Sequence, residues 1–296
     1  MNNNNKKPII CTSPYLRSTS YCKGVAKDLF EALDRLGIQH MELSNTMDIW
    51  CRDYMPVPLF DDGYYATYQY QPDYLWDKKC NHKYITSQID ASKDLKMNTP
   101  LSMGVVFDGG NYVRLGGNRN STVFMTDKIL MENSYWTLHE LILRLHLSLA
   151  ADIVLLPWDM DEPYGHADGM VASLPDGRLL LNNYCQTAKG NKIDYYKRLL
   201  KMIDGHFPFV ELSYDCRLEE DSWCYLNFLK VPGAVLLPCL SKGARCDNDQ
   251  AAIEKFQELF PDDEIIPIYA KPLINRGGGL HCVTWEYFPY NNRCMP

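Results

Sequence analysis

From residue 105 onwards the chain repeats one order of elements, hairpin then helix then strand, three times over. In the first copy, segments 105–115 and 122–131 read as a hairpin around Gly116-Gly117-Asn118. Leu138, Leu141, Ile142, Leu145 and Leu149 then recur at helical spacing within 135–150, and a strand follows at 153–156. The second copy has a hairpin at 169–174 and 178–182, turned by Pro175-Asp176-Gly177, a helix at 194–203 and a strand at 209–212. The third has a hairpin at 225–231 and 234–237, turned by Pro232-Gly233, a helix at 249–260 and a strand at 265–269. A period of this size with little sequence identity predicts similar units arranged around a common centre. The last unit begins at Gly277 but has no helix after it. The first residues carry the missing parts: a strand at 8–11, a helix at 23–36 and a strand at 39–43. The two ends are therefore expected to build one shared unit within a single domain spanning 1–296. Segment 73–101 is polar with little period and reads as an insertion or long loop.

Composition narrows the function classes. The net charge is −7 and no lysine- or arginine-rich stripe occurs, which argues against a nucleic-acid partner and suits a cationic ligand. The polar start, Met1-Asn2-Asn3-Asn4-Asn5-Lys6-Lys7, lacks the apolar core of a signal peptide, and no long apolar run reads as a membrane span. These features point to the cytoplasm. Eleven cysteines occur without a Cys-x-x-Cys pair, so Cys216, Cys224, Cys239 and Cys246 read as free thiols and not as metal ligands.

Each unit opens on one chemically capable residue: Asp53, Asp108, His166, Asn227 and Cys282, at intervals of 55 to 61 residues. If the units surround an axis, these positions converge at one end of it. Asp168 joins them, because residues two apart on a strand share a face. The run Gly277-Gly278-Gly279 before Leu280-His281-Cys282 permits a sharp turn and a close approach of backbone to a ligand. Taken singly, each residue has a structural reading, a packed thiol or a turn aspartate. Their recurrence in register is what those readings leave unexplained.

The segments Trp50-Cys51-Arg52-Asp53, Phe107-Asp108-Gly109-Gly110-Asn111, Gly165-His166-Ala167-Asp168-Gly169, Tyr225-Leu226-Asn227 and Gly277-Gly278-Gly279-Leu280-His281-Cys282-Val283-Thr284 resemble the agmatine deiminase and bacterial peptidylarginine deiminase family. The resemblance runs from Trp50 to Thr284. It implies a five-bladed α/β propeller of the pentein type. It also implies a guanidine deiminase that converts agmatine or a related alkylguanidine to a ureido product (N-carbamoylputrescine from agmatine) and ammonia. The matching positions imply Cys282 as nucleophile, His166 as acid and base, and Asp108 as the carboxylate orienting it. They imply Asp53 and Asp168 as a clamp on the guanidinium, Asn227 as an amide near the site and Trp50 as a wall beside the cation.

Carboxylates suit this ligand because a guanidinium is planar, always charged and forked in its donors. The thiol is expected to have its pKa lowered by nearby positive charge. No metal or organic cofactor is implied. Beyond a small cationic guanidine no partner is implied, and a homo-oligomer is compatible with the reading. Peptidylarginine or free-arginine deimination, amidino transfer, a cysteine amide hydrolase and a non-catalytic guanidine-binding protein remain the alternatives. After Thr284 the chain continues Trp285-Glu286-Tyr287 where agmatine deiminases usually carry glutamine.

Overall fold

A computed structural model describes residues 7–60, 63–76, 79–116, 121–160, 162–186, 190–214 and 220–290. Gly117 and Asn118 of the expected first turn, and Cys216, lie outside the described residues.

Fifteen strands are described, in chain order β1 (Ile9–Thr12), β2 (His40–Glu42), β3 (Val57–Pro58), β4 (Tyr64–Gln69), β5 (Asn98–Val106), β6 (Val113–Leu115), β7 (Thr122–Thr126), β8 (Asp152–Leu156), β9 (Val171–Ser173), β10 (Leu179–Asn182), β11 (Phe209–Leu212), β12 (Leu229–Val231), β13 (Ala234–Cys239), β14 (Glu264–Tyr269) and β15 (Trp285–Tyr287). They form five three-stranded sheets, ordered β3-β4-β5, β6-β7-β8, β9-β10-β11, β12-β13-β14 and β15-β1-β2. In every sheet the first strand pairs antiparallel with the middle one, and the third pairs parallel with it. A parallel neighbour needs a crossover, which is why a helix precedes most third strands. In the sheet shared by the termini, Cys11 of β1 sits opposite Trp285 of β15 and beside Met41 of β2.

The middle strands are the most apolar because both their faces are covered. All six residues of β13 and all four of β10 are buried. Each crossover helix presents one stripe to its sheet. Lys23–Arg35 buries Val25, Ala26, Leu29, Phe30, Ala32 and Leu33. Burying the four larger of these, Val25, Leu29, Phe30 and Leu33, stabilises by about 1.5–3 kcal/mol each. The helix Leu138–Leu149 starts on a capping box in which Thr137 and Glu140 satisfy each other's backbone N–H groups.

Two expectations shift. Segment 73–101 is not a featureless loop: it holds short helices at Asp73–Trp76 and Gln88–Ser92 and ends inside β5. In the first repeat the hairpin strand is confined to Val113–Leu115, because residues 107–112 turn through a 3₁₀ segment that carries Asp108 at its start.

Candidate active site

All five register residues lie on the short turn that precedes the first strand of a sheet. Asp53 is in the helical turn Cys51–Tyr54 before β3. Asp108 and His166 immediately precede the 3₁₀ turns Gly109–Asn111 and Ala167–Gly169, ahead of β6 and β9. Asn227 follows the turn Glu220–Leu226 before β12, and Cys282 lies three residues before β15. A tight turn pushes its side chain out of the ladder, so these residues are free for chemistry while the strand behind fixes their direction. Cys282 is thus on the turn that the glycine run leads into, and the strand after it is Trp285–Tyr287.

The turns bring the side chains together. Cys282 Sγ lies 3.6 Å from Asp168 Oδ2. His166 donates through Nε2 to Asp108 Oδ2 at 3.1 Å, and its Nδ1 stands 3.6 Å from Asp53 Oδ1. Asp53 Oδ1 is buried and has no hydrogen-bond partner among the described residues. Cys282, His166, Asp53, Asp108 and Asp168 are each 3–9% exposed. Three carboxylates, an imidazole and a thiol therefore share one nearly closed space.

Electrostatics separates the carboxylates. Burial raises the Asp53 carboxyl to about 8, with Asp108 and Asp168 adding and His166 opposing. For Asp168 burial also works against the charge, but the hydrogen bond and charge of His281 outweigh it and hold the carboxyl below its usual range. Burial disfavours the His166 imidazolium, yet Asp53 and Asp108 outweigh it and raise its pKa to about 10. The thiol overturns its expectation. Burial, then Asp168 and Asp53, push Cys282 well above the ordinary thiol value, because it faces carboxylates and not cations.

The glycine run has a steric reason at each position. A Cβ on Gly277 would lie 2.4 Å from the Tyr164 ring, on Gly278 2.2 Å from Trp50, and on Gly279 2.7 Å from Asn227 Oδ1. Gly277 also has φ +84°, a conformation that strains other residues. The loop bearing the thiol is thus laid bare-backed on side chains from three other turns. Asn227 fastens it further: its Oδ1 accepts from Cys282 N at 3.1 Å and its carbonyl from His281 N at 3.1 Å. Trp50 is half-buried against Gly278, and Asn227 is wholly buried beneath Gly279. The Asp-Gly-Gly at 108–110 is a close approach as well as a turn, since a Cβ on Gly110 would sit 2.5 Å from His166 Nδ1.

Several participants carried no usable signal in the sequence. His281 donates through Nδ1 to Asp168 Oδ2 at 2.7 Å. Glu162 accepts from the backbone N–H groups of Tyr164, at 2.9 Å, and of His166, at 3.3 Å, fixing the approach to the imidazole. Arg52 pairs with Glu286 at 2.6 Å, which gives the departure from glutamine after Thr284 a local reason. A cavity of about 220 Å³ shares Asp168 and His281 with this region but none of Cys282, His166, Asp53 or Asp108; Arg52, Arg114 and Lys230 line it. Among the described residues no group of three or more side chains could hold a metal ion. Cys224 and Cys239 are buried, their thiols directed at the carbonyls of Pro238 and Leu237. No helix among the described residues is long and apolar enough to cross a membrane.

The same arrangement of elements recurs in solved structures. An agmatine deiminase from Enterococcus faecalis superposes with TM-score 0.66 at 18% identity, covering 97% of this chain and 94% of that one. One from C. jejuni gives 0.68 at 14% identity, covering 98% and 96%. At these identities the likeness is one of fold, an α/β arrangement of five small sheets. In sequence, the agmatine deiminase of Stutzerimonas stutzeri is 26% identical over 301 aligned residues, covering 86% of this chain and 78% of its own. Matches to relatives from Streptococcus mutans, at 38% identity, and Streptomyces coelicolor, at 25%, span 34% and 65% of this chain but only 23% and 61% of theirs. The profile of the Porphyromonas-type peptidyl-arginine deiminases matches residues 16–287, nearly the whole described chain, and the chain belongs to that family.

Proposed function

We propose that the protein is a guanidine deiminase that hydrolyses agmatine or a related alkylguanidine to a ureido product and ammonia, with Cys282 as nucleophile. The observation that carries this reading is the buried Asp53 Oδ1, which makes no hydrogen bond and has the His166 imidazole 3.6 Å away, in one site with the Cys282 thiol and two further carboxylates. A buried carboxylate oxygen without a hydrogen bond is costly, and a cation that hydrogen-bonds it offsets the cost. A guanidinium supplies that cation together with a carbon open to attack.

Asp53 and Asp168 grip the guanidinium from two sides by charge-assisted hydrogen bonds. The bound cation brings the positive charge that the thiol otherwise lacks, which lowers its pKa, so the thiol gives its proton up to solvent and the thiolate is left beside the target carbon. Thiolate addition forms the C–S bond. His166, charged in the free protein and held by Asp108 through Nε2, delivers a proton from Nδ1 to the departing nitrogen. The C–N bond breaks, ammonia leaves, and an amidino-thioether stays on Cys282. The neutral imidazole then takes a proton from water, hydroxide adds to the same carbon, and the C–S bond breaks as the new hydroxyl gives its proton up to solvent. The thiolate and the ureido product result.

In this reading the whole chain is one catalytic domain, its five sheets closing as blades of a five-bladed α/β propeller. The pairing of β1 with β15 and the adjacency of successive site turns support that closure. Incubating the purified protein with agmatine, arginine and an arginyl peptide, and assaying ammonia and ureido product, tests the reading. Turnover of none of the three, or turnover unchanged in Cys282→Ser, would sink it.

A further inference from the structure

The approach to His166 is walled by two tyrosines that lie outside the register set. Tyr74 and Tyr164 meet edge to face, ring centroids 4.9 Å apart at 87°. Both face the imidazole, Tyr164 at 5.9 Å and Tyr74 at 6.3 Å. Both are half-buried, whereas the imidazole behind them is 9% exposed. Tyr164 also packs on the bare Cα of Gly277, and its hydroxyl reaches the Arg276 carbonyl at 3.5 Å. One ring thus touches the nucleophile's loop, the imidazole and the wall from the 73–76 turn.

That wall is fastened at its base. Asp73 pairs with Lys128 at 2.9 Å, and Lys128 is 2% exposed and also pairs with Glu132 at 2.8 Å. Lys128 Nζ stands 5.5 Å from the centre of the Tyr74 ring, a cation–π placement. Gly165, beside Tyr164, leaves room for the Lys128 stem, since a Cβ there would sit 2.3 Å from Lys128 Cδ. The two tyrosines are therefore held from opposite sides, one by the latch and one by the glycine loop.

We infer that Tyr74 and Tyr164 are specificity-determining residues: their paired rings admit a guanidinium on a slim, unbranched alkyl tail and exclude one attached to a peptide backbone. Two rings in edge-to-face contact leave no gap between them and form one continuous wall beside the imidazole. An unbranched methylene tail can lie flat along that wall, and a π-face there favours a cation. An amide group on each side of the tail's end would collide with the rings or leave its own hydrogen-bonding groups buried without partners. This inference rests on the deiminase reading above and names its substrate class.

The test compares kcat/KM for agmatine with kcat/KM for an arginine blocked at both ends, in wild type, Tyr164→Ala, Tyr74→Ala and Tyr164→Phe. The ratio of agmatine to blocked arginine is expected to fall by about tenfold or more in the alanine variants, the scale of pocket-based discrimination. Tyr164→Phe keeps the ring and is expected to keep the ratio. Should the alanine variants fail to fold, Asp73→Asn, at an exposed position, loosens the latch and shifts the ratio in the same direction. An active wild type whose ratio stays within about twofold in every folded variant overturns this inference alone. A wild type inert towards all guanidines overturns the deiminase reading and this inference together.

Discussion

Cys282 Sγ and Asp168 Oδ2 lie 3.6 Å apart, and the same Oδ2 takes a hydrogen bond from His281 at 2.7 Å. A thiol this close to an ionised carboxylate is held protonated until a cation arrives between them. On the proposed deiminase reading, the site couples nucleophile activation to occupancy by the charge it acts upon.

Replacing Cys282 by serine is expected to lower turnover by about 10⁴-fold or more, the scale for loss of a nucleophile. Binding of agmatine by the same variant, read by calorimetry, should persist, since Asp53 and Asp168 remain. Asp168→Asn should instead weaken binding and turnover together.

Two of the raised groups, Asp53 and His166, set limbs of the pH profile once the bound cation has lowered the thiol. Asp53 must be ionised to hold a guanidinium, and its carboxyl is raised to about 8. On this account kcat/KM for a cationic substrate climbs by roughly fivefold between pH 7 and pH 8. It falls again only as His166, raised to about 10, loses its proton. Asp108→Asn removes one of the groups that raise the imidazole, so the alkaline limb should move to lower pH. A limb that stays in place in that variant would contradict the assigned pairing.

Arg52 and Glu286 form a largely buried pair at 2.6 Å that ties the Asp53 turn to the last strand. Glu286→Ala strands the guanidinium and is expected to cost about 3 kcal/mol in urea unfolding. Burial opposes the Glu286 charge, but Arg52 outweighs it and holds the carboxyl below its usual value. The pair's contribution is therefore present at neutral pH and is lost as pH falls from the unfolded carboxyl value through the lowered folded one. Wild type should lose more stability than Glu286→Gln on acidification.

Gly278 has no room for a side chain because Trp50 fills it. Gly278→Ala is expected to destabilise by about 1–3 kcal/mol and to misplace the thiol. Trp50→Ala in the same chain removes the colliding ring, so the stability losses should be non-additive by about 0.5–3 kcal/mol, measured as a double-mutant cycle. Strict additivity would mean that the two residues do not meet.

Much of the site's membership was open to a reader of the sequence, since Asp53, Asp108, His166, Asn227 and Cys282 recur once per unit. Tyr74, Tyr164 and His281 were not, because each acts through neighbours from a different unit, and Glu162 was not, because its partners are backbone N–H groups that the sequence does not single out. Segment 73–101 looked structureless for the same reason: the turn at Asp73–Trp76 has too few residues for a period, and the Lys128 that fastens it lies far along the chain.

The order of apolar runs and turns was enough to determine the alternation of elements, because burial periodicity and glycine or proline breaks are local properties. It also placed one reactive side chain at the head of each unit. Only the tertiary structure decided the protonation states and the packing of the glycine run. A pKa is a sum over charges and burial contributed by distant segments, which is why the thiol expected to be acidic is instead held neutral by burial and then by Asp168 and Asp53. The three glycines likewise take their meaning from Tyr164, Trp50 and Asn227, residues that meet the loop only once the chain has folded.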